Sequence, residues 1–272
     1  MSETAFYATP NRDAVDYAIR VADFHVEMLQ RRGLRLDGAE ILELGPGADF
    51  CAALVLAGHG AKVTLADRFL TPWRDDFHPG FYRAFLAQYG GQKSAIEAAI
   101  AQNGYDGVLR LLPEPAEALA SVADASLDIV LSNAVLEHVK DFPRAVRELA
   151  RISRPGGIQA HQIDWRDHWD FDRPLDHLLV PAEAFDAERE QTGCQRGTQL
   201  RPPEMAEAFA ANFWLDEIEP NCFAEPAYLD EITPRLPERF ARFPRPSLRI
   251  LGARLWLSRK PPRPWWERLL RR

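Results

Sequence analysis

The stretch AEILELGPGADF, residues 39–50, decides how the chain is read. An apolar run, Ile41, Leu42 and Leu44, enters a glycine-containing turn and leaves it into the apolar pattern of a helix beginning near Phe50. A strand, turn and helix of this kind presents backbone N–H groups and bare glycine surface to a ligand, because glycine lets the chain bend sharply with no side chain in the way. The turn is not a phosphate loop, which needs Lys and then Ser or Thr after the second glycine, where this chain has Ala48, Asp49 and Phe50. Nor is it a dinucleotide fingerprint, which needs Gly or Ala at position 50 and a helix start free of negative charge. What remains is a ligand of positive or zwitterionic charge, matched by the carboxylate of Glu43 two residues before Gly45.

Outward from the turn, Phe50 to His59 reads as a sheet-flanking helix stopped by Gly60, and Ala61 to Phe69 holds a second strand ending at Asp67. An acid at that strand tip, about twenty residues after the glycines, can hold the two hydroxyls of a nucleoside ribose. Its bland alternative is a strand-end carboxylate in a turn. Residues 70–106 exceed what one crossover helix needs and carry two helical stretches, Phe81 to Tyr89 and Gln92 to Gln102, behind the segment TPWRDDFHPGFY. This insertion reads as part of a lid or substrate wall, although Trp73, Phe77, His78, Phe81 and Tyr82 are more readily local core than a binding box. Upstream, Asn11 can cap a helix whose Val15, Ile19, Ala22, Val26 and Leu29 form one apolar stripe, ended by Gly33.

Downstream, strands are expected at Val108–Leu112 and Ser126–Asn133, followed by AVLEHVKDFPRAVRELARISRPGG and a fifth strand, Ile158 to Ile163. Pro155 stops the helix Phe142 to Ile152, and Gly156-Gly157 allows the turn into that strand. Together, the acid-x-Gly-x-Gly at Glu43 to Gly47, the acid at Asp67, the Leu-Glu-His-Val segment and the Arg-x-x-Pro-Gly-Gly resemble the class I S-adenosylmethionine-dependent methyltransferases, Methyltransf_11-type domain. The resemblance covers roughly residues 39–164. It implies an α/β fold, a Rossmann-like doubly wound seven-stranded sheet with an antiparallel terminal strand pair and helical insertions, and S-adenosylmethionine as cofactor. The cofactor-binding residues it implies are Glu43, Gly45, Gly47, Asp67, Arg68, Glu117 and Asn133. In the family an Asp-Ala-Glu-x-Leu pattern serves the adenine; here Pro115, Ala116, Glu117, Ala118 and Leu119 align with it, so Pro replaces the Asp. Adenine recognition then falls to backbone near Ala116 or to Glu117, and a solvated acidic loop at Glu114 and Glu117 is the alternative. The N-terminal helix would help to cover the cofactor.

The fifth strand runs into HQIDWRDHWDFDRPLDH, residues 161–177, dense in bases and oxygen ligands just past a parallel strand end, where α/β folds place their chemistry. Transfer from a sulfonium needs alignment of the acceptor and, for a hydroxyl, removal of its proton. Asp164, Asp167 and His168 are the catalytic candidates, ahead of His138, for which helix capping or positioning is an equal reading. No metal ligands are assigned: the carboxylates allow a divalent cation, but none is expected. Beyond Leu178 the expectations are a helix at Met205–Phe213, antiparallel strands at Trp214–Ile218 and Leu248–Leu257, and a Pro-rich insertion, Phe223 to Pro246, capping the substrate side.

The domain expectation is an N-terminal helical extension (1–38), a methyltransferase domain (39–260) with insertions at about 70–106 and 165–246, and a basic aromatic tail (261–272). At 272 residues, 46% of them hydrophobic, one main domain can bury a large core. A net charge of −7 argues against a nucleic-acid partner. Cys51, Cys194 and Cys222 show no zinc or redox spacing. With no long apolar run or signal-peptide order, the expected location is cytoplasmic. The tail PPRPWWERLLRR is compatible with membrane-surface contact. The expected reaction is methyl transfer to a small-molecule or glycan acceptor, at an oxygen; the alternative is a methyltransferase-like binding protein without turnover.

Overall fold

The computed structural model describes residues 12–261. The Asn11 cap, the first ten residues and the aromatic tail lie outside them. The strands run in the order β3-β2-β1-β4-β5-β7-β6 in one seven-stranded mixed sheet, which is the expected α/β architecture. By its contacts the chain divides into two compact units between Asn133 and Ala134.

In the first unit, helix α1 (Arg12–Arg31) is followed by β1 (Glu40–Leu44), α2 (Cys51–Gly58), β2 (Lys62–Ala66), α3 (His78–Gln88), α4 (Ser94–Gln102), β3 (Leu109–Leu112) and β4 (Leu127–Asn133). The strands are parallel, with β1 central: Leu42 is in register with Thr64 of β2 and Val130 of β4. A strand flanked on both sides has no solvated face, which is why Ile41, Leu42 and Leu44 form a continuous apolar run. Asp128 ties β4 to the start of β1 by accepting a hydrogen bond from the Glu40 N–H. Helix α2 is buried along Cys51–Leu56, as a helix without a polar side must be. The stripe of α1 is wider than the spacing suggests: Ala14, Ala18 and His25 are buried with Val15, Ala22, Val26 and Leu29, whereas Ile19 is half-buried. Gly33, at φ 69°, closes this helix.

In the second unit, a single 3₁₀ turn, Leu136–His138, leads into α5 (Phe142–Ile152), which Asp141 caps by accepting from the Arg144 N–H. Val146 and Leu149 are buried as expected, with Phe142, Ala145, Ala150 and Ile152. There follow β5 (Ser153–Asp164), α6 (Ala182–Thr192), α7 (Pro202–Ala210), β6 (Phe213–Phe223), three short helices α8 (Pro226–Ile232), α9 (Glu238–Ala241) and α10 (Arg245–Arg249), and β7 (Ile250–Arg259). Strand β7 runs antiparallel to both neighbours, pairing His161 with Leu255 and Trp214 with Ser258. The Pro-rich insertion between the last two strands forms short helices around a small core. Leu229, Ile232, Leu236, Phe240 and Leu248 pack there with Leu175 and Leu178 from the loop after β5. No helix among the described residues is long and apolar enough to cross a membrane.

Candidate functional site

In the first unit the glycine turn is built from left-handed backbone. Gly45 lies at φ 59° and Gly47 at φ 72°, where a Cβ is strained, and Phe50 adopts φ 54° despite having one. That conformation costs a non-glycine residue about 1 to 2 kcal/mol. Phe50 is held in it by burial, with its ring 5.1 Å from Tyr105. The insertion after β2 clamps the same segment. The His78 Nδ1 accepts from the Arg74 N–H, so in the neutral ring the proton is on Nε2, which donates to the Ala48 carbonyl at 3.0 Å. Tyr82 donates to the Asp49 carbonyl at 2.7 Å, and its hydroxyl lies 2.8 Å from that of Tyr105. Phe77, His78, Phe81 and Tyr82 are therefore local core, and what they shape is the turn.

Three strand ends line up beside it. The Gly45 N–H donates to the Ala66 carbonyl, the Asp67 N–H donates to the Leu112 carbonyl, and Leu44 is in register with Ser132, one residue before Asn133. Gly45, Asp67 and Asn133 thus each sit one step past the last pair of β1 with β2, β2 with β3, and β4 with β1, respectively. Asp67 accepts from the Phe69 N–H, which fixes its carboxylate at the mouth of the β2 turn. Asn133 donates through Nδ2 to the Tyr17 hydroxyl at 3.0 Å. Tyr17 was not singled out from the sequence because it lies off the apolar stripe of α1; the signal was a large aromatic on the polar face, where it is 42% exposed. Glu117 stands in the turn after β3, closed by the Ala118 N–H on the Pro115 carbonyl, whereas Glu114 is occupied by the backbone and hydroxyl of Ser121. Arg68 is exposed, with its guanidinium 5.6 Å from the centre of the Phe69 ring.

The acids at this turn are without a counter-charge among the described residues, and burial favours their protonated forms. Glu43 is 3% exposed and its Oε2 has no hydrogen-bond partner among the described residues. Burial and then the neighbouring Asp49 carboxylate push Glu43 up to about 8. Asp49 is also raised by burial, although its Oδ1 accepts from the Cys51 N–H at the start of α2. Two buried acids with no cation beside them among the described residues favour a positive group.

The second unit holds the acid-rich run. Asp164, at the end of β5, takes a forked pair of hydrogen bonds from Arg166, Nε to Oδ1 at 2.9 Å and Nη2 to Oδ2 at 2.5 Å. Burial alone would raise this carboxyl, but the Arg166 contacts outweigh it and hold it below the usual range. Asp167 is 1% exposed, and its oxygens accept from Arg196 Nε and Nη2 and from the Trp169 N–H. Its position past the strand end suggested chemistry; its surroundings make it the anchor of the loop. His168 is the candidate that faces other titratable groups. Its ring centre lies 4.7 Å from that of His138, and its Nε2 is 3.8 Å from Asp164 Oδ2. Burial and then the His138 charge lower it. Beside it Glu137 is completely buried, accepts from the Asp164 N–H on Oε1, and is pushed up to about 8 by burial. Three residues before Glu137, Ala134 sits at φ 54° with its N–H on the Gln162 carbonyl. Arg201, fully buried, spans Trp165 and Ile250 by donating to both carbonyls.

Residues 81–160 match the model of a methyltransferase domain. That stretch is similar to a methyltransferase domain and covers less than half of the chain. A putative sarcosine dimethylglycine methyltransferase from Galdieria sulphuraria shares the fold, at TM-score 0.51 and 14% identity over 89% of this chain and 86% of that one. An S-adenosylmethionine-dependent methyltransferase from Mesorhizobium loti is similar at TM-score 0.49 and 15% identity, over 88% of this chain and 98% of that one. A comparison with curated protein sequences finds no match. The matched residues begin after the glycine turn, so Glu43, Gly45, Gly47 and Asp67 stand on their geometry.

Proposed function

We propose that this chain is a methyltransferase that binds S-adenosylmethionine at the glycine turn and transfers its methyl group to an oxygen of a small-molecule or glycan acceptor. The observation that carries the cofactor half is the uncompensated acid pair. Glu43 and Asp49 lie buried at a left-handed turn whose neighbouring strand ends in a carboxylate, Asp67. A sulfonium with an ammonium on its amino-acid arm supplies the missing positive charge, and its ribose gives Asp67 two hydroxyls to accept from. Gly45 and Gly47 leave the backbone bare where the ligand comes close. Asn133, oriented by Tyr17, and Glu117 complete the cofactor residues, with Arg68 at the rim.

Acceptor chemistry is assigned to the loop after β5. The methyl cation equivalent moves from sulfur to the acceptor oxygen, and the hydroxyl proton must leave. His168 takes that proton in this reading, Asp164 orients it, and Asp167 holds the loop through Arg196. Calorimetry with S-adenosylmethionine and its demethylated product, followed by labelled-methyl profiling of small-molecule and glycan extracts, tests both halves. Labelled product on a nitrogen or carbon acceptor would overturn the oxygen assignment.

A further inference from the structure

Glu137, His138 and His168 offer one carboxylate oxygen and two imidazole nitrogens that all lie within 4.8 Å of one another. Around a tetrahedral dication such atoms stand about 3.4 Å apart, so a small inward turn of the rings closes the set. Two of the three groups, Glu137 and His138, are already oriented from their other side, as ligands of a cation are. The Glu137 Oε1 accepts from the Asp164 N–H at 3.2 Å. The Cys194 carbonyl, 2.8 Å from His138 Nδ1, can only accept, so in the neutral ring the lone pair lies at Nε2. The backbone of His168 is fixed by its N–H on the Arg196 carbonyl.

The independent observation is that the set contains buried polar atoms with nothing to bind. Glu137 Oε2 and His168 Nε2 have no hydrogen-bond partner among the described residues, and Glu137 is 0% exposed. An orphaned buried carboxylate oxygen costs several kcal/mol unless a proton or a cation meets it. Two imidazoles with one carboxylate suit a borderline transition-metal dication better than magnesium or calcium, which take oxygen ligands.

We propose that Glu137, His138 and His168 hold one borderline divalent cation, zinc(II) in type, with open coordination positions toward an acceptor oxygen. Asp164, pinned by Arg166 with its Oδ2 3.8 Å from His168 Nε2, supports the site from outside the ligand set. The use of the ion rests on the proposed transfer to a hydroxyl: with the ion bound, the cation lowers the hydroxyl pKa so that its proton passes to water, and His168 serves as ligand in place of the base it is in the ion-free reading. The binding itself needs neither cofactor nor acceptor.

The test is a titration of metal-stripped full-length protein with cobalt(II), read by visible d–d absorption. One ion per chain should bind saturably and be displaced by zinc(II). Glu137→Gln, which keeps an oxygen for the Asp164 N–H, and His168→Ala should each weaken binding at least tenfold while circular dichroism stays unchanged. Should His168→Ala misfold, Glu137→Gln alone decides. No saturable spectrum, a thiolate-to-cobalt charge-transfer band, or wild-type affinity in folded Glu137→Gln would each overturn the site. Because the readout requires no methyl transfer, loss of turnover with cobalt bound counts against the transfer reading and not against the site.

Discussion

At the glycine turn of the first unit, Glu43 and Asp49 are buried with no arginine or lysine to meet them among the described residues, whereas at and after the end of β5 three acids meet cations: Asp164 with Arg166, Asp167 with Arg196, Asp176 with Arg173. Both regions are acidic in sequence, and a count of carboxylates would rank the loop as the stronger site. The difference teaches that density of charge is a poor guide to function and that unmet charge is a good one. Paired acids spend their oxygens on holding the chain together. An unpaired buried acid is destabilising in the free protein and becomes favourable only when something of opposite charge arrives. By that criterion the glycine turn is the stronger candidate for binding, and in the second unit Glu137 and His168 hold unpartnered buried atoms among the described residues.

The largest expected effect separates an anchor from a reacting group. Asp167→Ala should lower unfolding stability by about 3 kcal/mol, the low end for a broken buried pair because Glu188 still faces Arg196 at 3.0 Å. Thermal melting measures it, and an unchanged melting temperature with lost turnover would return Asp167 to the chemistry. Next, His168→Ala should reduce turnover roughly a hundredfold or more, about 2.7 kcal/mol, with cofactor affinity unchanged. Retained turnover in that variant would dissolve the assignment of the loop.

Smaller effects sharpen the turn. Asp67→Ala should weaken cofactor binding by about 1 to 3 kcal/mol in calorimetry, the range for hydrogen bonds to a charged group. Glu43→Gln addresses the unmet charge through pH. Because the folded protein raises Glu43 from 4.5 to about 8, the protonated acid favours folding at low pH, and that contribution fades as pH rises through this window. The stability of the variant relative to wild type, without cofactor, should therefore increase with pH across it, by up to about 1.4 kcal/mol per pH unit. A pH-independent difference would show that Glu43 has its counter-charge already.

Much of this was legible in the residues. The uninterrupted apolar run of β1, the left-handed positions at Gly45 and Gly47, and the acid at the tip of β2 are local patterns, and local patterns survive folding. What was not legible was pairing at a distance. Nothing in the sequence joins Asp167 to Arg196, 29 positions away, or Tyr17 to Asn133, 116 away, so neither pairing is visible before folding. The strain at Phe50 was hidden as well, because a phenylalanine gives no hint of a left-handed backbone; burial against Tyr105 enforces it. Helix α6 was missed for a physical reason: Phe185 is its only buried residue, so it carries no apolar stripe to read.

The central claim is that the unmet charge at Glu43 and Asp49 selects a cationic nucleoside. Isothermal calorimetry of the wild-type protein and of Gly45→Val, each with S-adenosylmethionine and with NAD, tests it most directly. The account predicts one-site binding of S-adenosylmethionine to wild type, none to the folded Gly45→Val variant, and no response to NAD in either. Tight NAD binding to wild type with no response to S-adenosylmethionine would contradict it.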